Sequence, residues 1–171
     1  MLANMLSMSG PSWTPRPYTE GDGLYCAVQP DYGSKLRIMQ LCEELGVTTD
    51  PSKLHCTIVY SETGTVPSDL IEALRTRPSG YLSSIAYWSG HDNSGFLVAR
   101  VNSASAHTFH EDLVSAGAQH SHNPYNPHVT LVSDLAMTAD LQERIAAVNA
   151  QLLEDSIYVN FEEYTISDIQ K

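Results

Sequence analysis

Basic residues are scarce in this sequence, and their scarcity excludes one large class of function. The 171 residues include nine lysines and arginines against 20 aspartates and glutamates, which gives a net charge of −11. The basic residues are scattered and form no run. Proteins that bind duplex nucleic acid gain much of their affinity by neutralising phosphates with lysine and arginine. We therefore expect no duplex nucleic-acid partner, although a small anionic ligand in a cleft needs only one or two local charges.

Cysteines and long apolar runs are also scarce. Cys26, Cys42 and Cys56 are odd in number and form no CxxC pair, so we interpret them as reduced core residues of a cytosolic protein. No apolar run approaches the ~20 residues that a membrane helix needs. The first residues show neither the positive start nor the unbroken apolar stretch of a signal peptide. The expected location is cytoplasmic, with no membrane partner.

Length and composition predict one domain with an arm. A chain of 171 residues that is 42% hydrophobic is of single-domain size and can bury a core without disulfides or a structural metal. Residues 1–22 mix short apolar pieces with Ser, Gly and Pro, and we interpret them as an N-terminal tail or arm. Residues 23–171 are predicted to form the domain.

Two short segments place polar residues on strands that are otherwise apolar. In HVTLV, strand alternation puts His128, Thr130 and Val132 on the same face. HCTIV has the same arrangement, with His55, Thr57 and Val59 on one face. A half-buried strand would more naturally carry Val or Ile at the histidine and threonine positions. A polar function on that face of each strand is therefore indicated.

The resemblance between these segments extends over most of the chain. Each is preceded by a short apolar strand, GLYCAV or GFLVARV, and by a helical pattern that ends at a glycine. Each is followed by a second helical pattern and a final strand. The unit strand–helix–strand–helix–strand therefore occurs twice, at roughly 23–90 and 95–169, and the matching order and spacing make chance a poor explanation.

A duplication of this kind predicts two lobes related by a pseudo-twofold axis and packed as a single domain. The predicted fold class is α+β, with the repeated unit arranged around a central groove. The two His-x-Thr strands then face each other across the groove. Both copies are expected to contribute polar side chains to one shared site.

Two histidines and two threonines in one groove suit the cleavage of a phosphodiester. Histidine has an unperturbed pKa near 6.5, so one neutral ring can take a proton from the nucleophile while a protonated ring gives one to the leaving oxygen. Threonine hydroxyls can donate to the non-bridging phosphoryl oxygens. The sequence shows no carboxylate cluster for a two-metal site, so we expect no metal and no cofactor. Because the halves are so alike, acid and base are not assigned, and water and a ribose 2′-hydroxyl stay open as nucleophiles.

The segments HCTI and PHVTL, placed in two similar halves, resemble the signature motifs of the 2H phosphoesterase superfamily. The resemblance spans roughly residues 23–169. It implies the bilobal, RNA ligase-like fold of that superfamily and metal-independent phosphodiester chemistry. Carried over to this sequence, His55 and His128 are the catalytic pair, and Thr57 and Thr130 are the phosphate ligands.

Within that superfamily, the chain most resembles small bacteriophage enzymes that counter CBASS immunity by hydrolysing cyclic oligonucleotide messengers. The short length, the segment YNPHVTL and the acidic carboxy-terminal strand carry this closer resemblance. It implies cleavage of 3′–5′ bonds in a cyclic di- or trinucleotide such as cyclic GMP-AMP. The RNA ligase-like and 2′,3′-cyclic phosphodiesterase branches share the motifs and remain an alternative. A third hypothesis is a non-catalytic protein that sequesters cyclic nucleotides.

Four further residues are candidates for binding the bases of the substrate: Tyr25, Trp88, Tyr125 and Glu163. The three aromatic rings can stack on bases, and a plain core or surface position is the alternative for each. The Glu163 carboxylate can accept from N1–H and N2–H₂ of a guanine, or it marks a bulge or strand end. Arg100, inside the strand GFLVARV, either reaches a phosphate or pairs with an acid.

A zinc site is also conceivable, because His120, His122 and His128 lie close together in the sequence. The first two sit in a turn-rich stretch, and neither a cysteine nor further ligand spacing supports a zinc site. We therefore interpret His120 and His122 as solvated loop residues.

Overall fold

The computed structural model describes residues 23–64, 66–120 and 124–167, with Glu163 described by its backbone alone. The predicted arm at 1–22 lies outside the described residues. The order strand, helix, strand, helix, strand is found twice, which confirms the predicted repeat. The first set is β1 (Leu24–Pro30), α1 (Tyr32–Leu45), β2 (Cys56–Thr63), α2 (Ser68–Leu74) and β3 (Ser79–Ser89). The second is β4 (Gly95–Asn102), α3 (Ala104–Ser115), β6 (His128–Leu135), α4 (Ala139–Glu154) and β7 (Ile157–Ser167), with a short strand β5 (Gln119–His120) before β6.

The long helices begin and end where local chemistry favours it. The Asp31 side chain accepts a hydrogen bond from the Ser34 N–H at 2.8 Å and caps the start of α1. Gly46 ends this helix in the left-handed conformation, with φ of 71°, which favours glycine. The apolar stripes predicted from helical spacing are buried, and their fully buried members are Ile38, Leu41, Cys42 and Leu45 in α1 and Leu141, Val148 and Leu152 in α4.

The three cysteines are buried and free, as predicted. Burial raises the pKa of Cys42 to about 11 and that of Cys56 to about 12. It also raises the pKa of Cys26. All three thiols therefore stay protonated at neutral pH and act as small apolar core residues.

Within the described residues, seven strands form one antiparallel sheet in the order β1-β7-β3-β4-β6-β2-β5. Because β1 also pairs with β2, the six longer strands close into a ring of pairings. The pairing between β2 and β6 is confined to Cys56 with Val129. The ring therefore consists of two halves, β2–β1–β7 and β6–β4–β3, which are joined at β2–β6 and at β3–β7.

The third strand of each repeat lies in the half that contains the other repeat's first two strands. β3 pairs with β4 from Tyr81 to Ser89, and β7 pairs with β1 from Phe161 to Ser167. The repeat boundaries at roughly 23–90 and 95–169 therefore do not coincide with the two halves of the sheet. No helix in the described ranges is long and apolar enough to cross a membrane.

Candidate active site

The two His-x-Thr segments lie side by side where the halves of the sheet meet. Cys56 of β2 pairs with Val129 of β6 in antiparallel register, and both side chains are fully buried. Their sequence neighbours point to the opposite face, because strand side chains alternate. Continuing the register by one residue in each direction puts each histidine opposite the threonine of the other repeat. The four polar side chains of the motifs thus share one face, which we call the floor.

A one-residue bulge follows the threonine of the first motif. In β2, Thr57 pairs with Ala27 of β1, and Val59 pairs with the preceding residue, Cys26. Ile58 is left without a partner in this ladder. A bulge of this kind bends the strand and re-aims the residues that follow it.

The same bulge follows the threonine of the second motif. In β6, Thr130 pairs with Val98 of β4, and Val132 pairs with Leu97, which leaves Leu131 over. The ladders around the two motifs therefore match residue for residue up to and including the bulge. This match supports the pseudo-twofold relation between the repeats more strongly than the sequence pattern alone does.

The bulges change which residues accompany the motifs. The prediction that Val59 shares a face with the histidines is wrong, because Val59 is fully buried in the hydrophobic core. Val132 is only partly buried and packs against that core. In β2 the next residue, Tyr60, lies toward the groove and pairs with Tyr25 of β1. Strict alternation fails here because one extra residue shifts every later side chain to the other face.

Both histidines are oriented by the same backbone contact. Nδ1 of His55 lies 2.8 Å from the carbonyl oxygen of Lys53, and Nδ1 of His128 lies 2.8 Å from that of Asn126. A carbonyl oxygen only accepts, so Nδ1–H donates in each case. Nε2 is therefore the nitrogen at which each ring gains or loses its proton.

The surroundings of His55 favour its neutral form. Burial lowers its pKa, the Lys53 carbonyl raises it in part, and the charge of His128 lowers it further. The influence of His128 means that the two rings are close enough to affect each other's charge. At pH 7 the His55 ring is therefore neutral, and its Nε2 can accept a proton.

A cavity of about 480 Å³ opens on the floor beside His128, and we call it the aromatic cavity. The Trp88 ring meets the His128 ring edge-on, with 4.6 Å between ring centres. Trp88, predicted as a base-stacking residue, is thus placed next to a motif histidine. The cavity is lined by Thr57, Tyr60, Trp88, Phe96, His120, Pro124, Tyr125, Asn126, His128 and Thr130.

Tyr25 lies at the other end of the floor. Its ring centre is 6.4 Å from that of His55 and 6.1 Å from that of Tyr60, and both contacts are edge-on. Tyr25 is partly exposed and does not line the aromatic cavity. The structure therefore brings Tyr25 to the site, beside His55.

Tyr125 is held by bonds within the protein. Its hydroxyl donates to the carbonyl oxygen of Thr57 at 2.8 Å, and burial raises its pKa, so the donor hydrogen is kept. One face of its ring stacks on His110 at 4.0 Å. Tyr125 lines the cavity, and it also ties the loop before His128 to the first motif.

His110 supports the same bulge from α3. This buried histidine donates from Nδ1 to the carbonyl oxygen of Ile58 at 2.7 Å. Burial lowers the pKa of His110. Two consecutive carbonyl groups at the bulge, those of Thr57 and Ile58, thus accept side-chain hydrogen bonds from residues of the second repeat.

The expectation that His120 is a solvated loop residue is wrong. His120 pairs with Ser61 as part of β5, is partly buried and lines the aromatic cavity. Its Nδ1 accepts the Tyr60 N–H at 3.1 Å. His122 lies outside the described residues. Across 23–64, 66–120 and 124–167, no three His, Cys, Asp or Glu side chains are grouped so as to hold a metal ion.

Arg100 lies on the strand next to the second motif, whereas Glu163 lies on β7, which is separated from the first motif by β1. The backbone of Glu163 pairs with Gln29 of β1, while its side chain lies outside the described residues. Arg100 of β4 pairs with His128, and its exposed side chain forms no ion pair with the described part of the chain. Directly paired residues have Cβ atoms about 4.5–5.5 Å apart, so Arg100 lies beside His128.

A second cavity, of about 460 Å³, opens beside His55, and we call it the polar cavity. It shares Phe96 and Thr130 with the aromatic cavity, so both cavities open onto the floor. Its lining residues are Thr48, Thr49, Asp50, Lys53, His55, Phe96, Thr130, Leu131, Val132 and Ser133.

The sequence reasoning missed four residues of the site. Phe96 had a signal, because it occupies in β4 the position that Tyr25 occupies in β1, two residues before the one that pairs with the motif threonine. Tyr60 and Lys53 required the bulge and the loop geometry. His110 had no signal, since a histidine on the buried side of a helix cannot be told from any other helical position.

Comparison with known proteins identifies a family model and a curated relative. The family model described as anti-CBASS protein Acb1 matches residues 22–164. The anti-CBASS protein Acb1 of Escherichia phage RB16 is 34% identical over 115 residues. These residues are 66% of this chain and 64% of the phage protein, so the chain spans just under two thirds of that relative.

Two solved structures superpose on this chain at low sequence identity. A crystal structure of a phosphoesterase superposes with a TM-score of 0.46 and 18% identity, covering 86% of this chain and 87% of the other. Escherichia coli LigT in its apo form gives a TM-score of 0.47 and 17% identity, with the same coverage of both chains.

Proposed function

The chain belongs to the anti-CBASS protein Acb1 family, whose model covers residues 22–164, and on this premise we propose that it is a phosphodiesterase that degrades cyclic oligonucleotide messengers. The proposed substrates are cyclic di- and trinucleotides such as cyclic GMP-AMP, cleaved at a 3′–5′ bond. Their loss in the cytoplasm of the infected cell would silence CBASS immunity. The observation that carries the proposal is the floor, with two histidines held by matched Nδ1–H contacts and two threonines between them.

The proton transfers follow from the two histidines. His55, whose pKa is lowered mainly by burial, takes the nucleophile's proton on Nε2 as the new P–O bond forms. His128, in its protonated form, gives the Nε2 proton to the oxygen of the breaking P–O bond. One proton is accepted and one is donated, so the pair ends the step with its charge exchanged. Either water or a neighbouring ribose 2′-hydroxyl fits as the nucleophile.

The threonines and aromatic rings supply binding in this scheme. Thr57 and Thr130 donate their hydroxyl hydrogens to the non-bridging phosphoryl oxygens, which become more negative toward the transition state. Trp88 lines a cavity large enough for a nucleoside and offers a ring for stacking a base. Tyr25, beside His55, and Glu163, whose backbone pairs with Gln29 of β1, are proposed to contact the nucleotide on the His55 side of the floor.

The proposal is tested by incubating the protein in EDTA with cyclic GMP-AMP and, separately, with an oligonucleotide that ends in a 2′,3′-cyclic phosphate. We expect turnover of cyclic GMP-AMP and little or none of the oligonucleotide. Turnover of the oligonucleotide alone would assign RNA-end processing instead, and recovery of intact cyclic GMP-AMP after long incubation would indicate a sequestering protein. Replacing one ribose by its 2′-deoxy form then decides between water and the 2′-hydroxyl as nucleophile.

A further inference from the structure

The polar cavity and the aromatic cavity are pseudo-twofold counterparts. The aromatic cavity is bounded by the loop before His128 and by the strand after Thr57. The polar cavity is bounded by the loop before His55 and by the strand after Thr130. One cavity therefore lies on each side of the floor. A phosphate held on the floor has a nucleoside on either side of it, so both cavities are placed to receive part of one ligand.

The two cavities differ in chemistry. Aromatic rings dominate the first cavity. In the second, Thr48, Thr49 and Ser133 supply hydroxyl groups, Asp50 supplies a carboxylate and Lys53 supplies an ammonium group. The Lys53 side chain is exposed and forms no ion pair among the described residues, and its charge contributes to the low pKa of Asp50, which lines the same cavity. Lys53 and Arg100 thus place cations on either side of the floor in a chain of net charge −11, which favours a ligand group that is anionic.

The loop that carries Lys53 is fixed by bonds that do not involve its side chain. Asp50 accepts hydrogen bonds from the N–H and the hydroxyl of Ser52, and the hydroxyl bond leads the interactions that keep the pKa of Asp50 low. The backbone carbonyl of Lys53 accepts the Nδ1–H of His55. The Lys53 ammonium can therefore be removed without removing the contact that orients His55.

We propose that the polar cavity binds the nucleotide next to the cleaved bond, and that the Lys53 ammonium pairs with a second, uncleaved phosphodiester of the same cyclic ligand. The inference rests on the proposed function, because it names how a cyclic oligonucleotide is held. A cyclic dinucleotide has two phosphodiesters, while a linear dinucleoside monophosphate has one, which the floor already occupies. Lysine is a compact point charge suited to a phosphate that sits at the rim of a cavity.

The test measures binding to the His128→Ala protein by calorimetry, so that no ligand is consumed. The ligands are cyclic GMP-AMP and the linear dinucleoside monophosphate GpA. Adding Lys53→Met should weaken binding of cyclic GMP-AMP by about tenfold and change binding of GpA by less than twofold. It should also reduce the salt dependence of the cyclic GMP-AMP affinity, because one phosphate contact is lost. Arg144→Met, on α4, is the matched control for loss of one positive charge and should leave both affinities within twofold.

Equal weakening of both ligands would mean that Lys53 acts on the floor itself, and unchanged affinity for cyclic GMP-AMP would mean that it contacts no phosphate. Either result overturns the inference. The proposed function is tested separately, by measuring turnover of cyclic GMP-AMP with the unmodified protein. A protein that binds cyclic GMP-AMP through Lys53 but never cleaves it fails the proposed function alone. A protein that cleaves it but is indifferent to Lys53→Met fails the inference alone.

Discussion

His55 and His128 share a backbone contact but differ in their neighbours. Tyr25 lies edge-on to His55, and Trp88 lies edge-on to His128. The strand partner of His128 is Arg100. The sequence predicts the pair because the motif occurs twice, and it leaves their roles open because the motifs are so similar. In the proposed mechanism, the burial that lowers the pKa of His55 favours the neutral ring and with it the role of base.

Replacing either histidine by alanine should lower turnover of cyclic GMP-AMP by ~10²–10⁴-fold. Replacing both should cost far less than the product of the single losses, since an acid without its base is already disabled. Turnover should decrease at pH values below the pKa of His55, which burial lowers from its usual value near 6.5. It should also decrease at higher pH, where His128 has lost the proton that it donates. Turnover measured against pH, with circular dichroism alongside, checks this. A flat profile or a folded, fully active His128→Ala protein would contradict it.

Tyr125→Phe removes one hydrogen bond to the Thr57 carbonyl and keeps the ring stacked on His110. The free energy of unfolding should fall by ~1 kcal/mol, and turnover should fall roughly fivefold if the carbonyl positions Thr57. Tyr87→Phe is the matched control, because its hydroxyl donates to the Leu135 carbonyl at 2.7 Å, on another strand end. Urea denaturation and turnover are measured for both variants.

The control should lose similar stability and keep its turnover. If the two variants lose turnover equally, Tyr125 stabilises the fold without positioning Thr57.

At the scale of elements, the bulge after each motif threonine shapes the site. It sends Val59 into the core, brings Tyr60 to the groove, and leaves the Ile58 carbonyl for the His110 side chain. Bulges are frequent next to active sites because they re-aim side chains. The helical stripes and the strands could be predicted from periodicity. The bulges could not, because an alternating pattern of apolar residues reads the same with or without one extra residue.

His110 should make the stability of the protein depend on pH. Its pKa is lowered in the folded state, chiefly by burial, so its contribution is fully present above the unfolded value near 6.5 and is lost as the pH falls. The free energy of unfolding should therefore decrease between pH 7 and pH 5. His110→Asn keeps a donor near the Ile58 carbonyl and cannot be protonated, so its decrease should be smaller. Urea denaturation across this range measures both.

His91→Asn is the control for this prediction. His91 is exposed and lies in the turn between β3 and β4, so its replacement should leave the slope of stability against pH nearly unchanged. An identical slope for wild type and His110→Asn would mean that the charge of His110 is tolerated in the fold.

At the scale of the whole molecule, the exchange of third strands makes the two repeats interdependent. The half that contains β1 and β2 is completed by β7, and the half that contains β4 and β6 is completed by β3. The duplication and the α+β class could be predicted from the sequence. The exchange could not, because a strand's own residues record its burial and its faces but not which neighbour it pairs with.

Neither repeat should fold as a separate fragment. A chain that ends at residue 92 has no partner for most of β3, and a chain that starts at residue 93 has none for the second part of β7. Far-UV circular dichroism and urea titration should show no cooperative transition for either fragment. The full chain should show one transition, at the same urea concentration by dichroism and by tryptophan fluorescence. A cooperative transition in either fragment alone would contradict this.

The exchanged strands also determine the order in which the two halves of the sheet can be completed during synthesis. The residue that ends β3, Ser89, is made 78 residues before Ser167, which ends β7. At 5–20 residues per second, translation takes roughly 4 to 16 s to cover that interval. Throughout it, β1 has an edge whose final partner is still incomplete. A newly made molecule therefore carries all four motif side chains, the last of which is Thr130, before the strand that completes the half containing β1 and β2 has been made.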